Sequence, residues 1–279
     1  MIAAALALGA ALIWGSIDFF AGLRSRAASV TAVVAVSQCA GLLLAAVVVA
    51  ATWAPVPSAK GLLWASLAGV GGVVGIVGLY RGLAVGAMSI VAPITAAGTA
   101  IPVAVGVASG ERPSWTQGAG LALAFGGVVL ASREKGERPG GGRVAAGVRP
   151  ALLGALGTGV FLVALDRASG GSVFWTVLVQ RVALVALLAL AIGVRRERPS
   201  IGRRHVAPVA VIGVLDVCGI AMFTEATRRG LLSVVSVIAG LYPVATVLLA
   251  HLVLGERVGR AQRVGVVGAL AGVALITAG

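Results

Sequence analysis

The chain has 279 residues, of which 59% are hydrophobic and 11% charged, against roughly 45–50% apolar and about 25% charged in a soluble domain. So little polar surface excludes an ordinary soluble enzyme or binding domain. The net charge of +13 does not point to nucleic acid, because the basic residues sit in short loops between apolar runs, as in membrane proteins.

The first residues, MIAAALALGAALIWGSIDFF, lack the basic start and cleavage site of a secretory signal and read as a first membrane span. A span needs about 20 mostly apolar residues. Ten segments qualify, at approximately 2–21, 30–52, 61–81, 88–109, 115–132, 151–166, 173–194, 206–227, 233–254 and 260–278. Proline, glycine and charge separate them, as in APVPSAK at 54–60 and RRERPS at 195–200. The one long polar stretch, SREKGERPGGGRVAAGVRP at 132–150, reads as a flexible linker.

The chain also repeats itself. Gly110, Glu111, Arg112, Gln117, Gly120, Gly127 and Val128 recur 145 residues later as Gly255, Glu256, Arg257, Gln262, Gly265, Gly272 and Val273. Each copy closes a run of five spans. Five is odd, so the second run enters the bilayer from the opposite side. The expected fold is therefore all-α and polytopic, with ten transmembrane helices in two inverted five-helix repeats. Residues 1–132 form the first repeat, 133–150 the linker and 151–279 the second.

Ten spans place 16 of the 22 basic residues on one face, Arg133, Lys135 and Arg138 of the linker among them, and only Lys60, Arg112, Arg167, Arg228 and Arg229 on the other. This asymmetry predicts a cytoplasmic linker and both termini outside. Arg181 is left inside a span.

Ionisable groups within spans usually face a cavity or a partner. Asp216 lies mid-helix in VAPVAVIGVLDVCGIAMF, and Arg181 in VLVQRVALV sits at similar depth. The two form an ion pair if their helices are neighbours. Asp216 then serves either as part of a structural clamp or, because burial lets a carboxylate take up a proton, in proton coupling or cation binding. Asp18, one turn beyond Trp14, is either an interfacial carboxylate paired with Arg24 or Arg26 or a charge at a cavity mouth.

Pro243 removes a backbone donor and frees the Ala239 carbonyl one turn earlier, which in lipid must face protein or a wet cavity. Tyr242 beside it offers a hydroxyl and a ring to such a cavity. Pro93, Thr95, Thr99 and Pro102 mark the corresponding helix of the first repeat. Gly71-x3-Gly75, Gly78-x3-Gly82 and Gly268-x3-Gly272 are patterns for close helix contact.

Glu225 and Arg228 read as a solvated pair, His251 has no second ligand at metal spacing, and no cofactor is called for. No nucleophile elbow, HExxH or paired catalytic carboxylates occur, so an enzyme is not expected.

ALIWGSIDFFAGLRSR in helix 1, YRGLAVGAMSIVAPI across helices 3 and 4, the two GER-x4-Q-x2-G segments and GLLSVVSVIAGLYPVATVLLAHLVLGERV at 230–258 carry a family resemblance. With them the chain resembles the drug/metabolite transporter superfamily, of the ten-helix EamA type. The resemblance implies a central cavity between inverted repeats and transport of small metabolites, often as efflux. It places the Asp18 stretch of helix 1 at the cavity border and likens Arg181 to a basic residue common in that helix.

The expectation that follows is a secondary carrier in a prokaryotic plasma membrane. It would export or exchange a small polar metabolite or drug by alternating access, with the lipid bilayer and the small-molecule substrate as its partners. A non-transport membrane scaffold using the same fold is the alternative.

Overall fold

The computed structural model describes residues 1–25, 29–85, 94–95, 97–131, 141–197, 199–254 and 259–278. Helix α1 spans Ile2–Ser25, α2 Val30–Thr52 and α3 Ala59–Val85. A single 3-10 turn at Ala97–Thr99 leads into the short α4, Ala100–Ala108, and α5 covers Trp115–Ala131. The second half comprises α6 at Gly141–Ala168, α7 at Val173–Arg195 and α8 at Arg203–Thr227. It ends with α9 at Leu232–Ala239, α10 at Tyr242–Leu254 and α11 at Arg260–Ala278.

Eight of the described helical runs are long and apolar enough to cross a membrane, with α9 and α10 making one run between them. The two shorter apolar helices, Ala97–Ala108 and Trp115–Leu130, take the fourth and fifth places. The chain is thus an all-α polytopic membrane protein.

Packing occurs mainly between the halves. Helix α3 lies along α6, α5 along α11, α1 along α8, and α2 against both α7 and α8. The two strongest apolar seams are glycine-lined, since lipid tails give helices no hydrophobic reason to associate and backbone approach must supply the attraction. On α3, a Cβ added at Gly71 would lie 2.9 Å from the Gly157 carbonyl oxygen, and one at Gly78 would lie 2.6 Å from the Gly154 Cα.

The α5–α11 seam explains the helical glycines of the 145-residue repeat. A Cβ on Gly120 would come within 2.7 Å of the Gly272 carbonyl oxygen, and one on Gly127 within 2.7 Å of that of Gly265. Gly265 and Gly272 are the repeat counterparts of Gly120 and Gly127, so each glycine meets the other's counterpart. Ala124 and its own counterpart Ala269 lie between them, both fully buried. Such reciprocal contact is what a local two-fold axis between antiparallel copies produces. The sequence repeat is strongest where the copies touch themselves.

Two expectations change. Residues 141–150, expected in the flexible linker, belong to α6, with Pro150 inside the helix. The expected fourth span at 88–109 is broken by the turn at Ala97–Thr99. Its stretch 88–93, the 132–140 part of the linker, and Glu256 and Arg257 of the second repeat motif lie outside the described residues.

Candidate functional site

A cavity of about 190 Å³ lies between the halves, and α1, α2, α3, α6, α7, α8 and the segments around the two helix breaks all line it. Seven of the notable polar or aromatic side chains were expected from sequence. Six of them, Trp14, Asp18, Thr95, Thr99, Asp216 and Tyr242, stand on its wall. The seventh, Arg181, is fully buried behind that wall.

Arg181 and Asp216 form an ion pair, Nη2 to Oδ2, at 2.6 Å. Two more side chains complete the network. The indole Nε1 of Trp14 donates to Asp216 Oδ1 at 3.0 Å, and Arg181 Nη1 donates to the Gln38 Oε1. One residue from each of α1, α2, α7 and α8 therefore meets at a single point, two from each half. Backbone shape makes room for it. Gly41 leaves space beside the Arg181 guanidinium, whose Cζ would stand 3.3 Å from an added Cβ, and Gly219 leaves space for the Trp14 indole.

The opposite wall is built from two broken helices. Gly240 and Leu241 separate α9 from α10, and Pro243, in the first turn of α10, offers no N–H to the Ala239 carbonyl. Facing this break is the 3-10 turn of the first half. Thr99 Cγ2 would stand 2.9 Å from a Cβ on Gly240, and Ala239, Gly240, Thr95 and Thr99 all face the cavity. Pro102 is buried in the first turn of α4, and Pro93 lies outside the described residues. Gly15 lets α10 approach α1 closely, and the Thr246 hydroxyl donates to the Gly15 carbonyl at 3.0 Å. The adjacent Trp14 and Gly15 thus serve different partners, one side-chain and one backbone.

Asp18 stands apart from the network. It lies one turn beyond Trp14 and faces the same cavity. Among the described side chains, no basic group stands within ion-pair distance of it. The expected partner Arg26 and the side chain of Arg24 lie outside the described residues. Glu225 pairs with both Arg228 and Arg229, at 3.3 and 2.5 Å, near the exposed end of α8. Among the described residues no three His, Cys, Asp or Glu side chains gather as metal ligands.

Sequence reasoning passed over several wall residues: Ser37, Gln38, Thr158, Phe161 and Gln180. Uncharged amides and hydroxyls inside apolar runs give a weak signal, although Ser37 and Gln38 interrupt an otherwise apolar stretch of α2. Glu111 was legible only as part of the repeat. In the structure its carboxylate accepts from the backbone amides of Leu232 at 2.6 Å and Ser233 at 3.0 Å. It thereby caps α9 of the other half, where donors are unsatisfied and the helix dipole favours an anion. Nearby, Arg167 Nη2 donates to Ser109 Oγ at 2.5 Å. This end of the bundle is tied between halves about 10 Å from the helix breaks, at 1.5 Å of rise per residue over Leu232–Ala239.

Comparison with known proteins agrees with this architecture. The model of the EamA-like transporter family matches twice, over residues 1–133 and 146–278. A solved crystal structure of a protein superposes with a TM-score of 0.82 at 17% sequence identity, over 99% of this chain and 98% of the other, which shows a shared fold. No curated protein matches the sequence. With both halves matched across nearly their whole length, the chain belongs to the EamA-like transporter family.

Proposed function

We propose that the chain is a secondary carrier that moves a small polar metabolite or drug outward, or exchanges it, by alternating access across a prokaryotic plasma membrane. The observation that carries this reading is the cavity shared by both halves, walled on one side by two helix breaks that meet there. Broken helices at the midplane of inverted repeats are the usual build of a carrier site, because frayed backbone is tolerated in a membrane only against protein or a wet cavity. The halves touch mainly along smooth glycine seams, which suits rocking of one against the other. The asymmetry of the arginine-rich loops supports a cytoplasmic location for the linker in this reading.

The Arg181–Asp216 pair, with Trp14 and Gln38, acts in this reading as a neutral strut that keeps α7, α8, α1 and α2 in register around the cavity. The test is exchange in reconstituted vesicles. Vesicles carrying the chain and loaded with a metabolite extract should lose one or more compounds faster than protein-free vesicles when the same extract is added outside. Equal losses from both would contradict the proposal.

A further inference from the structure

The charge balance of the cavity narrows the substrate. Two carboxylates line it, Asp18 and Asp216. Asp216 is matched by Arg181 at 2.6 Å and further held by the Trp14 N–H at 3.0 Å. The positive charge of Arg181 is spent there, and its other arm is engaged with Gln38. Asp18 remains, with no basic partner among the described side chains. A carboxylate facing a cavity in a membrane helix, with no matching charge among the described side chains, favours a cation arriving beside it, because the surrounding protein screens that attraction less than water does.

The rest of the wall specifies the remainder of the ligand. The Trp14 and Phe161 rings lie 6.3 Å apart, centroid to centroid, and both face the cavity with Tyr242. Ring faces attract cations and also cover apolar bodies. Ile17, Leu162 and Ile220 add aliphatic surface to the same lining, beside the uncharged polar groups already named. Among the described lining residues an anion meets no cationic group, because Arg181 is fully buried behind the wall and the amides and hydroxyls of Ser37, Gln38, Thr158 and Gln180 carry no charge. The volume, about 190 Å³, is below the roughly 300–1,000 Å³ typical of pockets for drug-sized ligands.

We infer that the substrate is a small organic monocation, an amine on an apolar or aromatic body, with its charged nitrogen against Asp18 and its body among the Trp14, Phe161 and Tyr242 rings. This rests on the carrier reading above and adds the chemical class of its cargo.

The experiment measures equilibrium binding of radiolabelled phenyltrimethylammonium to the purified full-length chain in detergent. Competitors are phenethylamine, the uncharged carbon isostere tert-butylbenzene, and benzoate. The expected result is saturable binding displaced by phenethylamine and by neither of the other two. Asp18→Asn should weaken binding by at least about tenfold, a change of ~1.4 kcal/mol, at an unchanged melting temperature, and Asp18→Glu should recover part of the loss.

The preference of the parent chain for the cation over its isostere needs no variant, so the inference stays open to refutation even where Asp18→Asn fails to fold. Absence of saturable binding, equal competition by tert-butylbenzene or benzoate, or full binding by a folded Asp18→Asn protein would each overturn it. The two readings separate cleanly. Vesicle exchange of uncharged or anionic compounds only would leave the carrier standing and remove the cation. Asp18-dependent cation binding without exchange of any compound would do the reverse.

Discussion

The carboxylate of Glu111, in the loop before α5, holds the amide of Leu232 at 2.6 Å across the boundary between the two repeats. With Ser233 it makes two charge-assisted bonds to the first turn of α9, and through them one half of the molecule fixes the end of a broken helix belonging to the other. In the proposed carrier cycle, opening the bundle at this end would require those bonds to break, so Glu111 would bias the equilibrium between access states without lining the cavity.

Glu111→Ala should shift that equilibrium. A hydrogen bond to a charged group contributes about 1.5–3 kcal/mol, and ~1.4 kcal/mol is a factor of ten in population. A cysteine at Ser233 should therefore react at least about tenfold faster with a membrane-impermeant thiol reagent in the Glu111→Ala background than with Glu111 intact. Identical rates would show that the cap does not hold this end closed.

The strut makes a second prediction, about stability. Removing one member of a buried ion pair leaves the other uncompensated and typically costs about 3–5 kcal/mol, whereas replacing both with apolar groups of similar volume is close to neutral. Arg181→Met and Asp216→Asn should each lower the melting temperature in detergent markedly, and Arg181→Met with Asp216→Leu should recover much of the loss. A double variant as unstable as the two losses added together would show that the pair does not act as a unit.

Trp14→Phe keeps a ring against Phe161 and Phe223 but removes the N–H that reaches Asp216. The expected cost is that of one hydrogen bond to a charged group, about 1.5–3 kcal/mol, read as a fall in melting temperature smaller than that of Arg181→Met. No fall at all would remove Trp14 from the strut.

The α5–α11 seam offers a test with an internal control. Gly126 and Gly127 are neighbours, yet a Cβ at Gly126 would meet nothing within 4 Å, while one at Gly127 would stand within 2.7 Å of the Gly265 carbonyl oxygen and 2.8 Å of the Ala269 Cα. Gly127→Ala should lower the melting temperature, because backbone has no rotamer to move aside. Gly126→Ala should be neutral or raise it, since alanine is favoured over glycine in a helix by about 1 kcal/mol. Equal effects at the two positions would refute the close crossing.

The sequence made the architecture readable because lipid imposes its own pattern. Apolar runs of span length, with arginines between them, disclose the helices whatever their packing. The helical glycines of the 145-residue repeat were visible because they sit where the two copies meet, with Gly120 against Gly272 and Gly127 against Gly265. The Arg181–Asp216 pair was legible from depth alone, because two opposite charges buried in adjacent spans have few alternatives.

Other features depended on three-dimensional neighbours. Gln38 carries no charge to mark it, and only the approach of α2 to α7 brings it to Arg181. The capping role of Glu111 depends on which helix end lies beside its loop, 121 residues further along the chain. Pro243 announced the break before α10, but the turn at Ala97–Thr99 falls between Pro93 and Pro102 and at neither. The glycines at 140–142 and Pro150 suggested a flexible linker, whereas α6 begins at Gly141 and accommodates Pro150 within it.

The central claim is that the cavity reaches both faces of the membrane in turn, and thiol accessibility tests it most directly. Cys39 and Cys218, both free and exposed, are replaced by serine, and Thr158 on the cavity wall by cysteine. A membrane-impermeant thiol reagent is then applied to right-side-out and to inside-out vesicles. The account predicts that Thr158→Cys is modified from both sides. Modification from one side only, however long the exposure, would mark a cavity with a single mouth and contradict alternating access.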